Sequence, residues 1–345
     1  ETESATPGPI SPAEMSREDR DLLGHPAAGK VWEWLGRRFP DQQLTPDTSL
    51  QLDLGVDSLG WVDLTLEIGE TAGVELTEEA IWRIDKVRDL LREVTAATGS
   101  GKPVTTATPL EEPEAFLTER QMRWLRPLGP LMAGLSRLMF GLNWVLMRGL
   151  FRVRVEGLDR LPDHGPFLLA PNHASNLDPL ALAAVVGHRR LRQTYWAGWT
   201  GVVFSNPVFR FISRLGRVVP IDTDRGYLSN LAFGAAVLKR NHNLVVFPEG
   251  ERSLDGSVQP FKAGTGLLLD RYPVPVVPVL IQGTHAAMPP GARLPRLKPI
   301  RIVVGQPVDP RELEQCGEGR HPQDRIVRAL RKRVSELESS EKPLT

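Results

Sequence analysis

LLAPNHASNLDPLALAAVV, residues 168–186, decides how the chain is read. An apolar run stops at Pro171. Asn172 and His173 follow, then Asp178 five residues after the histidine, and Pro179 opens an alanine- and leucine-rich segment. The pattern is strand, loop, helix start. Its loop carries an imidazole and a carboxylate, the pair from which a general base and its orienting acid are built. On these residues alone a purely structural reading has equal weight. Asp178 before Pro179 suits a helix start, Ser175 can cap as well, and His173 can be a hydrogen-bonded loop histidine.

Working outward, the same alternation continues. FRVRVEGLDRLP, PFLLAPNH, TYWAG, GRVVPID, NLVVFPEG, VPVVPVLI and PIRIVVGQPV read as strands, with helical stretches between several of them and an amphipathic helix, HPQDRIVRALRKRVSELES, at the end. This predicts an α/β domain over residues 152–345 with a largely buried sheet. Just before it, residues 116–151 are rich in apolar side chains, tryptophan and spaced arginines. Between Arg126 and Arg148 the only charge is Arg137, and one charge-free run, Leu138–Met147, is only 10 residues. That is too short to span a bilayer, and Pro127 and Pro130 break a straight span. Tryptophan with arginine predicts a membrane-associated pair of helices at the interface, the alternative being a hairpin buried against the domain.

The first part of the chain has another character. Formal net charge over the 345 residues is zero, but residues 1–98 hold 20 acidic and 9 basic side chains and residues 99–345 hold 22 and 33. Such a split indicates two modules that attract each other, the second suited to anionic ligands or surfaces. Residues 1–15 read as a flexible leader and 97–115 as a Gly-, Ser-, Pro- and Thr-rich linker. Between them, residues 16–96 read as an all-α four-helix module. Val31, Trp34, Leu35 and Phe39 share one face of a first helix; Leu59, Val62, Leu66 and Ile68 line another, whose opposite face carries Asp63, Glu67 and Glu70. Cys316 is the single cysteine, which rules out an internal disulfide and fits a reducing compartment. The sequence contains no signal-peptide pattern. It starts at Glu1 rather than Met, which suggests a longer parent with an upstream adenylating, acyl-loading domain.

LDLGVDSLGWVDL, residues 52–64, resembles the modification site of an acyl carrier protein: Leu54-Gly55, then Asp57-Ser58-Leu59, then an acidic amphipathic helix. Gly73–Leu76 and Val87–Leu90 fit the same pattern. The resemblance implies that Ser58 bears a 4′-phosphopantetheine arm, added by a phosphopantetheinyl transferase. A serine opening a helix suits a phosphodiester, because free N–H groups and the positive dipole end face it.

Four further blocks keep a fixed order: NHASNLD at 172–178, GRVVPIDTDR at 216–225, FPEGERS at 247–253 and VPVVPV at 274–279. Together they resemble the glycerolipid acyltransferases, which include the lysophosphatidic acid acyltransferases. That family's roles, carried onto this sequence, make His173 the general base and Asp178 its partner. Arg225 matches the second block, with Arg217 as the alternative; Glu249, Gly250, Arg252 and Ser253 match the third and Pro278 the fourth. Glu251 departs from the usual small polar residue. Lys262, in FKAGTG, joins the arginines as a candidate for an acceptor phosphate, and Glu249 is a candidate acceptor for a glycerol hydroxyl. The expected activity is transfer of a fatty acyl group from a phosphopantetheine thioester, on its own carrier or on acyl-CoA or a separate carrier, to a hydroxyl of a lysophospholipid or related glycerol lipid. Amide formation on an amino-lipid and a non-catalytic carrier scaffold are the alternatives. The expected setting is cytoplasmic, peripheral or monotopic on the inner face of the cell membrane, with membrane lipids as partners and neither metal nor nucleic acid.

Overall fold

The computed structural model describes residues 8–50, 53–56, 60–74, 76, 80, 83–98, 109–199, 206–221, 227–292, 294–319 and 321–339. They form two compact units: the residues up to Glu111, together with Tyr227 and Leu228, make the first, and the other residues from Glu112 onward make the second.

The first unit is helical, as its apolar periodicity requires: α1 (Arg17–Leu23), α2 (Pro26–Arg38), α3 (Gly60–Ala72) and α4 (Val87–Thr98). Val31, Leu35, Leu64, Ile68, Leu90 and Val94 are buried in one core. Trp34 and Phe39 pack at its margin, whereas Trp32, on no predicted face, is buried. Leu59 lies outside the described residues. Arg88 closes the bundle, reaching the buried Asp19 at 2.6 Å and Asp47 at 2.8 Å. Its guanidinium holds both carboxyls below their ordinary range. Composition predicts a flexible leader through residue 15, but from residue 8 the chain is ordered. β1 (Gly8–Pro9) pairs in parallel with β2 (Gln43–Leu44), and Ser11 and Glu14 cap a single turn reciprocally. The physical reason is that Ile10 and Met15 pack on the helical core, which a Pro- and Ser-rich composition does not reveal.

In the second unit all seven predicted strands form: β3 (Arg154–Glu156), β4 (Leu168–Pro171), β5 (Thr194–Trp199), β6 (Val218–Ile221), β7 (Asn243–Val245), β8 (Val276–Gln282) and β9 (Arg301–Val304). They make one sheet in the order β3-β9-β8-β4-β7-β5-β6. Every pair is parallel except β8 with β9. β4 sits inside the sheet between β8 and β7, and all its residues, whichever face they point to, are buried, so LLAP can be apolar throughout.

The helices of this unit are α5 (Pro130–Leu150), α6 (Asp178–Val186), α7 (Pro207–Gly216), α8 (Tyr227–Lys239), α9 (Gly264–Arg271), α10 (Pro310–Cys316) and α11 (Pro322–Glu336). α5 packs against α6 and α7, with Ser136 Oγ donating to Leu215 O at 2.8 Å and Asn143 Nδ2 to Leu180 O at 2.9 Å. α9, α10 and α11 pack together, and α11 lies along β8.

The expected pair of interfacial helices is one six-residue helix, Glu119–Trp124, followed by the 21-residue α5. Pro127 falls in the break, and Pro130 starts α5, where a missing N–H costs nothing. Among the described residues no helix is long and apolar enough to cross a membrane. α5 is also not a buried hairpin. Ser136 and Met147 are buried, while Leu131, Leu138, Leu142, Trp144 and Val145 are exposed, and α7 adds exposed Val208, Phe209, Phe211 and Ile212.

A tight helix contact lies at Gly266 in α9, where a Cβ would overlap the main chain of Gln323 at the start of α11. Gly266→Ala therefore forces two backbones apart. It is expected to destabilise the second unit by about 1–3 kcal/mol, read as a lowered urea midpoint with an unchanged slope.

Candidate active site

His173 and Asp178 face each other across the turn between β4 and α6. His173 Nδ1 and Asp178 Oδ2 are 2.8 Å apart. The same oxygen accepts the backbone N–H groups of Ala174 at 2.7 Å and Ser175 at 2.8 Å. The aspartate side chain is fully buried and the histidine side chain is 18% exposed. A carboxylate only accepts, so Nδ1 carries the proton and Nε2 presents its lone pair outward. Among the described residues Nε2 has no hydrogen-bond partner. Asp178 does not cap its own helix: Leu177 is the N-cap and no side chain caps there. The carboxylate reaches backward instead, and its position in the first turn of α6 suits negative charge. The purely structural reading of Asp178 as a helix cap therefore fails.

Strand register supplies the next layer. β4 pairs with β7 as Leu168↔Leu244 and Leu169↔Val245. Continued past the strand ends, that register brings residue 249 level with residue 173. The backbone N–H of His173 indeed donates to Glu249 Oε1 at 3.1 Å, and the His173 carbonyl accepts from Ser253 N at 2.8 Å. Phe247 stacks on the imidazole with ring centres 4.2 Å apart and planes at 29°. On the other side, Asn172 extends the β4–β8 pairing with its side chain, accepting from Ile281 N at 2.7 Å and donating to Ile281 O at 3.1 Å. Ser175 Oγ donates to Met288 O at 2.7 Å.

Glu249 is 2% exposed. Burial pushes its carboxyl up to about 7; the backbone N–H groups of His173 and Gln259 pull against this, the charge of Asp178 adds to it, and Arg331 opposes it. Its second oxygen, Oε2, has no partner among the described residues. The expected ligand for an acceptor hydroxyl is thus a buried group holding the histidine's peptide, because the strand register aims it there. Gly250 turns the chain at φ +75°, and a side chain there would meet Lys262. Ser253 is buried and occupied with its own loop: Oγ donates to Asp255 at 2.8 Å and accepts from Gly256 N at 3.0 Å. Arg252 is half-buried without an ion pair among the described residues, and Lys262 is exposed, 3.9 Å from Glu251. Arg217 ends α7 and donates to Tyr195 Oη at 2.9 Å while lying over its ring, which makes it an anchor of the fold. Pro278 lies in β8 opposite Ala170. Arg225 and Ser58 lie outside the described residues; the described part of α3 starts two residues after Ser58. Sequence reasoning assigned no role to Asn172 and missed Phe247, although both flank the chosen residues in their blocks. A cavity of about 350 Å³, walled by Asn172, Ala174, Gln282, Thr284, His285 and Glu338 among others, opens beside the loop, and His173 does not line it.

Residues 152–282 match the family model described as Acyltransferase, and residues 30–94 match that described as Phosphopantetheine attachment site. The chain therefore joins a phosphopantetheine attachment domain to an acyltransferase domain. Among similar proteins, a chloroplastic 1-acyl-sn-glycerol-3-phosphate acyltransferase of Brassica napus, BAT2, is 30% identical over 163 residues, covering 46% of this chain and 45% of that protein. An N-acylphosphatidylethanolamine synthase of Arabidopsis thaliana is 32% identical over 165 residues, covering 43% of this chain and 57% of that protein. The crystal structure of a 1-acyl-sn-glycerophosphate acyltransferase from Thermotoga maritima covers 64% of this chain and 88% of that chain at 23% identity, with a TM-score of 0.49. The chain spans about half the length of the curated relatives it matches.

The raised Glu249 carboxyl has a stability consequence. Its native value lies above its ordinary 4.5, so the folded state holds the proton longer than the unfolded chain does. Stability is therefore lost as pH rises from about 4.5 to about 7, by roughly 3 kcal/mol in all. Glu249→Gln keeps an oxygen for the His173 N–H and cannot ionise. Its melting temperature is expected to gain on the parent's steadily between pH 5 and 7; parallel curves would show that Glu249 does not titrate there.

Proposed function

We propose that the protein transfers a fatty acyl group from a phosphopantetheine thioester to a hydroxyl of a lysophospholipid or related glycerol lipid. The observation that carries this reading is the imidazole fixed by Asp178 with Nε2 open. Ser58, in the DSL motif of the phosphopantetheine attachment domain, is the proposed attachment point; the arm supplies the acyl group as a thioester. Phosphodiester chemistry suits a serine placed just before a helix. Loading requires a phosphopantetheinyl transferase and an acyl-loading enzyme or upstream domain. The donor thioester sits on the chain's own carrier, on a separate carrier or on coenzyme A.

In the proposed step His173 Nε2 takes the proton of the attacking hydroxyl while its oxygen adds to the acyl carbonyl. Asp178 keeps the proton of Nδ1 in place and stabilises the imidazolium that forms. The imidazolium then gives its proton to the departing sulfur, so an ester forms, a C–S bond breaks and a thiol leaves. Glu249, Phe247 and the Ser253 backbone hold His173 in position. Arg252, Lys262 and Arg225 are the proposed cations for an acceptor phosphate. The exposed apolar side chains of α5 and α7 support work at a membrane surface, with α5 lying in the interface. A second reading, amide formation on an amino-lipid, is favoured by the similarity to an N-acylphosphatidylethanolamine synthase, because the same base serves an amine nucleophile.

His173→Ala is expected to lower acyl transfer by roughly 10²–10⁴-fold while leaving Ser58 loading intact, since loading needs only the carrier. Asp178→Asn is also expected to slow transfer, through the wrong tautomer. The measurement is product mass spectrometry with acyl-loaded protein and a panel of lysolipids and amino-lipids; the panel separates ester from amide. Wild-type turnover by His173→Ala sinks the proposal.

A further inference from the structure

The connection from β8 to β9 is unlike the rest of the surface. From Arg271 to Val308 the chain contains no aspartate or glutamate, and the connection itself reads MPPGARLPRLKP over residues 288–299. Residues 294–298 are five consecutive exposed residues, with Leu294 81% and Leu297 58% exposed. Arg296 and Lys298 make no ion pair among the described residues. Apolar side chains this open, set between uncommitted cations, cost free energy in water and suit a surface that is both apolar and anionic. Four prolines, at 289, 290, 295 and 299, reduce the freedom that such a segment would lose on docking.

The segment is tied to the candidate active site rather than hanging free. Its base is pinned where Gly283, at φ +87°, lies so close to the Pro299 carbonyl that a Cβ would collide with it. Arg296 N donates to Ala287 O at 2.7 Å, and Met288 O accepts from Ser175 Oγ in the His173 loop. β8 runs parallel to β4, so this loop and the His173 loop leave the same edge of the sheet. The loop after Glu249 joins them: His285 Nε2 is 3.0 Å from Leu254 O, and Leu254 is 83% exposed.

We infer that the 288–299 loop is a second membrane contact, separate from α5, which seats Leu294 and Leu297 in an anionic bilayer surface next to the His173 loop. It rests on the reading that the protein works at a bilayer, and adds where the site meets that bilayer. Leucines enter the boundary of the acyl chains, while Arg296 and Lys298 meet lipid phosphates. A lipid acceptor then reaches His173 from the bilayer along a loop bonded to the catalytic turn.

The test places an environment-sensitive dye at Leu297→Cys in a Cys316→Ser background of the full chain. Cys316 is the only cysteine and is exposed, so labelling is specific. Phosphatidylcholine vesicles with phosphatidylglycerol are expected to shift the dye emission to the blue. Arg296→Gln with Lys298→Gln is expected to weaken flotation on those vesicles by roughly 10-fold or more, with little change on phosphatidylcholine alone. Both variants alter exposed side chains, and unchanged melting curves verify the fold. Unchanged emission in samples whose flotation shows the chain bound would overturn the loop contact and leave the bilayer reading standing, as would a loop serving an acidic protein surface. If the parent chain floats on neither vesicle, both readings fall.

Discussion

One carboxylate oxygen organises the turn between β4 and α6. Asp178 Oδ2 receives the imidazole N–H of His173 and the backbone N–H groups of Ala174 and Ser175. The three bonds fold the chain between β4 and α6 into a tight turn and orient the ring in the same act. Charge-assisted bonds of this kind are short and strong, and in a buried setting an unmade one is expensive. The turn and the orientation of the imidazole therefore stand or fall together, and the helix that begins at Asp178 fixes both.

Two acids sit close to this imidazole in different surroundings. Asp178 gathers three N–H donors on Oδ2, although its Oδ1 is, like Glu249 Oε2, buried without a partner among the described residues. Glu249 is buried with one oxygen lacking a partner, and its carboxyl is pushed up to about 7. Environment, not residue type, divides such groups between roles. Asp178 orients the ring, whereas Glu249 grips the peptide on which the ring is mounted. Phe247 stacking and the Ser253 backbone complete a cage that leaves Nε2 open.

The surface repeats this division between holding and presenting. α5 binds the domain through Ser136, Asn143 and Met147, yet keeps leucines, a tryptophan and a valine in the open. A stretch read from composition as either interfacial or buried has one buried and one exposed side, because a helix has two sides and composition does not say which one meets the domain.

The sequence by itself determined the elements and the chemistry they carry. Apolar patterns marked the seven strands, and the five-residue spacing placed His173 and Asp178 on one short loop; that they pair, rather than Asp178 capping a helix, was left open by those residues and came from the family resemblance. The carrier motif around Ser58 was legible as a local pattern. What the tertiary structure alone decided lies across strands. Glu249 is 76 residues from His173, and Asn172 is 109 from Ile281. Only the register of β4 with β7 and β8 brings those atoms together, so the contacts of Glu249 and Asn172 with the backbone were not legible in the sequence. Likewise Ile10 and Met15 seemed part of a flexible leader until a core formed for them to cover. Local chemistry is written in neighbouring residues, whereas the choice between binding a substrate and holding a backbone is made by pairing between distant ones.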